Sequence, residues 1–382
     1  MKKFFLPPVC LLAFILSSQA QKFTLFSLPD SIYSGPQGEF HVQGMAVDEV
    51  HGFIYFSFTD KLIKMDMSGH LIGSVTGLVG HLGDITFDPK TNEVYASLEF
   101  KNDAIGEGIS KKLGLQNSNK INFYIAMFNG AKIVRLDMNA QQGDVLRTAY
   151  LKEVVDDYKA EVKDGDRVFK HRFGCSGIDG ITIGPSFGNL QSHQRYLYVA
   201  YGIYGDTSRN DNNHQVILKY DIADLNQSGR ILTQNHLHHS GPKKPLAKYF
   251  IMTGNTRYGI QNLAFDAYTG DFFVAVYTGT KPQFPNYNLF VINGHKKPVK
   301  AEITSNNTAI KVETLSLLPA GLDDPKTGIM GWYFKWGSTG LFPLGKGYFY
   351  ISHNKKTDNQ QATTIYKYKW VGNNKEAFAL VK

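Results

Sequence analysis

Short apolar runs, each opened by a polar or glycine residue and closed by a turn, recur along the chain. Residues 43–48 read QGMAVD and are followed, after His51 and Gly52, by FIYFS at 53–57. The plan returns at 83–88 (GDITFD) with VYASL at 94–98, at 179–184 (DGITIG) with YLYVA at 196–200, and at 261–266 (QNLAFD) with FFVAV at 272–276. A degenerate fifth copy has TGLF at 339–342 and GYFYIS at 347–352. Runs of this length, rich in β-branched and aromatic residues and punctuated by Gly, Asn, Asp and Pro, predict strand–turn–strand units. Third strands are expected at 62–67, 132–138, 216–221, 289–293 and 364–370, and fourth strands at 71–75, 145–151, 248–252 and 311–317. The last copy borrows its fourth strand from 22–28 or from 377–381.

Four short antiparallel strands per copy describe a propeller blade. The expectation is therefore all-β, a single β-propeller of five blades, with six or seven as the alternative because the copies are unevenly spaced. The charged insertions 102–120 and 153–173 read as loops on one face, the second partly helical. No Pro/Gly/Ser-rich linker divides residues 21–382, so they form one domain. The strands at 44–48 (GMAVD) and 262–266 (NLAFD) resemble those of the NHL and SMP-30 (gluconolactonase-like) propellers. That resemblance implies six blades and a metal-dependent lactonase or esterase, with a divalent cation such as calcium held by Glu, Asn and Asp side chains.

Composition supports strands: 26 Phe and 21 Tyr in 382 residues suit pleated, half-buried surfaces. Residues 1–20 read as a signal peptide. Lys2 and Lys3 precede an apolar run at 4–16, and Ser18 and Ala20 suit a cleavage site. The run is too short to span a bilayer, so the expected product is periplasmic or secreted, without a membrane span. Removing it also removes Cys10 and leaves Cys175 alone, so no internal disulfide is expected. The formal charge of +8 becomes 8 − 2 = +6 without Lys2 and Lys3. That is compatible with an anionic ligand, while the absence of a dense Lys/Arg run argues against nucleic acid.

In a propeller, first-strand starts and second-strand ends meet around one mouth of the central channel. Those positions supply His41, Gln43, His81, Asp84, Asp179, Gln261 and Asn262, and then Glu99, Lys101, Tyr201, Tyr204, Asp206, Tyr277, Lys281 and His353, with Arg257 and Tyr258 in the adjoining loop. Acids, amides and tyrosines together suit a polyhydroxylated small molecule or oligosaccharide. Paired carboxylates break glycosidic bonds, one protonating the leaving oxygen while the other attacks or activates water. Asp84, Glu99 and Asp179 are the candidates, with His41 and His81 as further acids or bases. An Asp beside Gly also suits a turn cap, and that reading stays open for Asp84 and Asp179. With His353, the two histidines also allow a metal. Lys101, Lys281 and Arg257 are candidates to hold an anionic group. The glycine-dense stretch 173–180 (FGCSGIDG) is neither a nucleophile elbow nor a phosphate loop. The resulting expectation is a carbohydrate-active enzyme, a glycoside hydrolase or polysaccharide lyase acting on a glycan that the charge allows to be acidic. A non-catalytic glycan- or protein-binding propeller and the SMP-30-type lactonase are the alternatives.

Overall fold

The computed structural model describes residue 25 and residues 27–115 and 120–381. The expected leader, Cys10 and most of 22–28 lie outside the described residues. The rest forms seven sheets, of which five stand around one axis as a five-bladed propeller and two are small two-stranded ribbons. The innermost strands are Val42–Asp48, His81–Asp88, Cys175–Gly184, Thr256–Asp266 and Leu341–Gly345. Each touches the next, and the last touches the first, so the ring is closed.

The first three of these strands are buried at nearly every position because both faces are covered by neighbouring blades. Val42–Asp48 and Glu93–Phe100 are buried at every position. Tyrosines and phenylalanines fill the wedges between blades, among them Tyr55, Tyr95, Tyr124, Tyr198 and Phe56. The aspartate closing three of the inner strands is a turn cap. Asp48 accepts the amides of Val50 and His51, Asp88 that of Lys90, and Asp266 those of Tyr268 and Thr269.

The last blade closes on both chain ends. Ser31–Tyr33 and Phe378–Leu380 lie end to end along the outer edge of Gln360–Trp370. The C-terminal candidate at 377–381 thus takes part, joined by a segment just after 22–28.

Two strand assignments are corrected. In the second blade the third strand is Asn122–Asn129 (NFYIAMFN), not 132–138. The former is apolar on both faces. The latter alternates with Lys132, Arg135 and Asp137, leaves Val134 and Leu136 exposed, and contributes only Met138–Asn139 to the edge of the first blade. Residues 311–317 do not form the fourth blade's outer strand. Thr308–Thr314 instead pairs in parallel with Ala247–Met252 of the third blade, and the fourth is edged by isolated bridges at Leu317 and Trp332. The insertion at 102–120 carries a helix, Ala104–Lys112, whose first amides are capped by Asp103. The insertion at 153–173 carries the helix Lys152–Lys159 and a hairpin, Glu161–Asp164 with Arg167–Lys170.

Two side chains staple the ring at its axis. The Asp84 carboxylate accepts the amides of Ile85, Ile181 and Leu263 at 2.9, 3.0 and 3.0 Å, joining the second, third and fourth blades. Asn262 donates to the Gln43 carbonyl at 2.8 Å and accepts from the Leu341 amide at 3.0 Å, joining the fourth blade to the first and fifth. Burial raises the Asp84 pKa well above the usual carboxylate range and the Asp179 charge adds to this, while the three amides oppose it. An amide side chain cannot accept all three N–H groups. Asp84→Asn is therefore expected to leave one facing an NH2 group, at a cost of about 2 kcal/mol. The measurement is the urea midpoint at unchanged slope, and an unmoved midpoint would show that Asp84 does not bridge the blades.

Candidate active site

A cavity of about 280 Å³ opens where the inner strands begin. His41 and Gln43 come from the first blade, His81, Glu99 and Lys101 from the second, Ser176, Ile178, Asp179 and Gly202 from the third, and Tyr258, Gln261 and Tyr277 from the fourth. Ile105, in the first turn of the inserted helix, closes one side.

Glu99 is the hub. One carboxylate oxygen accepts the Ile178 amide at 2.6 Å. The other meets His81 Nδ1 at 3.0 Å and Lys101 Nζ at 2.9 Å. Burial alone would raise the Glu99 pKa, but Lys101 and His81 outweigh it and hold the group below its ordinary value. The carboxylate sits in a notch at Gly177, where the backbone has φ +126° and a Cβ would collide with Glu99 Oε1. Lys101 also donates to the Ser176 carbonyl at 3.0 Å and lies 3.8 Å from Asp103. Burial would lower the Lys101 pKa, yet Glu99 and Asp103 raise it overall, so the ammonium stays charged. The bond to Glu99 assigns the Nδ1 proton of His81 and leaves Nε2 for a ligand.

Asp179 is the opposite case. Burial, with the Glu99 charge adding to it, pushes its carboxyl up to about 7, against the weaker pull of His81 and Lys101. Its Oδ1 is buried and has no hydrogen-bond partner. His41 is pulled down to about 4, first by burial and then by His81 and Lys112, so it is neutral at neutral pH. Gln43 contacts His41 Nε2 at 3.3 Å and donates to Thr59 at 2.9 Å.

His41, Gln43, His81, Glu99, Lys101, Asp179, Gln261 and Tyr277 thus come together as the mouth argument expects. The other candidates stand elsewhere. Asp84 and Asn262 are the axial staples. Tyr201 is fully buried, its hydroxyl donating to Asp157 at 2.9 Å, and the Tyr204 hydroxyl donates to Asp103 at 2.6 Å behind Lys101. Asp206 accepts the amide and hydroxyl of Ser208 in a loop. Arg257 is exposed and outside the wall. Lys281 is buried against the Arg209 carbonyl and the Asn212 and Asn213 side chains, and burial pulls it down to about 8. His353 stacks on Trp336 at 3.8 Å and contacts the Tyr368 hydroxyl at 2.9 Å. Lys101, Lys281 and Arg257 therefore do not form a common clamp. Ser176, Ile178, Gly202 and Ile105 carried no sequence signal for the cavity. The nearest hint was Asp103, an N-cap residue three positions before Gly106.

Among the described residues no three His, Cys, Asp or Glu side chains are arranged to hold a metal ion. The three histidines do not meet, and both oxygens of Glu99 are taken. The residues present do not fit the calcium site that the SMP-30 resemblance implies. Among the described residues no helix is long and apolar enough to cross a membrane.

No protein-family model and no curated protein matches the sequence. Solved structures match the chain at low identity and low TM-score. A GH43 β-1,3-galactosidase with galactodeoxynojirimycin is 13% identical, with a TM-score of 0.41, over 90% of this chain and 93% of its own. A functionally unknown protein from Desulfotomaculum acetoxidans is 8% identical, with a TM-score of 0.32, over 89% and 69%. The Cps50 (Swd1) β-propeller domain of Myceliophteria thermophila is 9% identical, with a TM-score of 0.30, over 85% and 83%. The five-bladed propeller rests on the strand order and the closed ring of inner strands, and the site on its own geometry.

Proposed function

We propose that the protein is an exported carbohydrate-active enzyme that hydrolyses a glycosidic bond at its axial cavity. The observation that carries this reading is a pair of carboxyls in one small cavity with pKa values pushed apart, Glu99 down and Asp179 up to about 7. Such separation marks acid and base roles. Glu99 has no oxygen left to attack with, so it serves to orient His81. Asp179 gives its proton to the glycosidic oxygen as the C–O bond breaks. His81 Nε2 takes a proton from the water that adds to the anomeric carbon. A lyase acting on a uronate would need a cation to pair with the substrate carboxylate, and the one in the wall, Lys101, is committed to Glu99. The leader-like residues 1–20 support export.

Turnover of chromogenic aryl glycosides as a function of pH tests the assignment. Asp179 is the proton donor only while protonated, so activity is expected to fall tenfold per pH unit above about 7. A rate that holds level to pH 9 would remove Asp179 from the donor role. Glycan binding without turnover would favour the binding propeller.

A further inference from the structure

Tyr258 stands in the cavity wall in a strained backbone conformation. Its φ is +68°, in the left-handed region that an aromatic residue rarely adopts. Gly259 follows at φ +74°, where a Cβ would collide with the Tyr201 carbonyl and approach the Ile203 amide at 2.7 Å. Between Arg257, opposite Tyr277, and Ile260, opposite Val276, the two residues 258 and 259 are looped out of the ladder. The bulge is pinned by Gln261, itself a cavity residue, which donates to the Tyr258 carbonyl at 3.1 Å. Its effect is to place the Tyr258 ring on the cavity wall, 40% exposed, edge-on to Tyr277 at 6.2 Å and 88°. Strain held by surrounding structure at a cavity mouth is a mark of a ligand clamp.

The charges of the wall narrow what the clamp takes. The Lys101 ammonium has three donors. It faces Glu99, the Ser176 carbonyl and Asp103. Lys112, the next cation in reach of His41, stands over the Phe40 ring at 5.0 Å and is not in the wall. Apart from Asp179 and His81, what remains for a ligand is neutral: the amides of Gln43 and Gln261, His41 and two tyrosines. The volume, about 280 Å³, falls just below that of small-molecule clefts, which run from about 300 to 1,000 Å³.

We infer that Tyr258 is the specificity-determining platform of this cavity, on which a single neutral pyranose ring at a glycan end stacks its C–H face. The inference rests on the hydrolase reading above and adds the substrate class to it. Calorimetric binding of neutral methyl pyranosides and their uronate counterparts tests it, using the wild type, Tyr258→Phe and Tyr258→Ala. A neutral pyranoside is expected to bind wild type and Tyr258→Phe alike and Tyr258→Ala at least tenfold more weakly, with an unchanged melting temperature for the ligand-free variant. Uronates are expected to bind at least tenfold more weakly than their neutral partners. Equal binding to Tyr258→Ala would overturn the platform, and uronates binding as well as neutral sugars would overturn the class, both leaving the hydrolase reading standing. Absence of binding and of turnover with every sugar would overturn that reading and this inference with it.

Discussion

Asp179→Asn is expected to abolish turnover and, at pH 8, to raise the melting temperature by several degrees. The two effects have one cause. The folded protein holds the Asp179 carboxyl near 7, against an ordinary value of 3.8. Between those values the folded state keeps a proton that the unfolded state has released. Stability therefore declines as pH rises through that window, and the penalty is complete above about 7. Three pKa units correspond to at most about 4 kcal/mol. Asparagine has the same shape and does not ionise. It can accept the Asp84 amide with its oxygen, so the penalty disappears while the carboxyl proton is lost. Thermal unfolding at pH 5 and pH 8 separates the terms: the gain at pH 8 should be more than twice that at pH 5, where the penalty is only partly in force. A variant that is less stable than wild type at pH 8 would show that the carboxylate is satisfied in the fold, and would take Asp179 out of the acid role.

Why Asp179 and not Asp84 keeps a carboxyl oxygen without a donor was not legible in the sequence. Both sit beside a glycine at the start of an inner strand. Both strands carry register shifts at that point, between Leu82 and Ile85 and between Ile178 and Ile181. A bulge breaks the period-two alternation, so the pattern no longer tells which way a side chain turns. Asp84 turns to the axis and finds three amides, while Asp179 keeps a free oxygen. The cavity itself was legible, because a closed ring of blades forces first-strand starts to one mouth. His41, Gln43, His81, Asp179 and Gln261 follow from that topology alone, and Glu99, Lys101 and Tyr277 from the return of the second strands. The fifth blade departs from the scheme because the Trp336 ring covers His353. The helix Ala104–Lys112 escaped because Gly106 and Gly108 lower its propensity. Gly106 is required there, since a Cβ would collide with the Lys101 carbonyl.

Glu99→Gln is expected to act on stability with the opposite sign, lowering it by about 3–5 kcal/mol. The Lys101 and Glu99 side chains are 5% and 2% exposed, so removing the carboxylate charge leaves a buried ammonium with only the more distant Asp103, 3.8 Å away. A single amide oxygen must also replace two that served the Ile178 amide, His81 and Lys101. In the wild type the folded pKa of Glu99 lies below its ordinary value of 4.5. Its contribution is thus in full effect above that value and is lost as pH falls through the folded value. The variant should differ most from wild type at neutral pH and converge with it in acid. Its turnover should fall as well, because His81 loses the acceptor that fixes its ring. Glu99→Gln combined with Lys101→Met separates the charge from the geometry. Removing both charges is expected to restore most of the lost melting temperature but none of the activity. If the double variant were no more stable than the single one, the buried charge would not be the cause, and the loss would lie with the Ile178 amide and the notch at Gly177. Two carboxyls in one cavity thus respond to the same substitution in opposite directions, because the fold surrounds Glu99 with donors and leaves Asp179 Oδ1 with none. That difference is the basis for proposing proton transfer by Asp179 and orientation of His81 by Glu99.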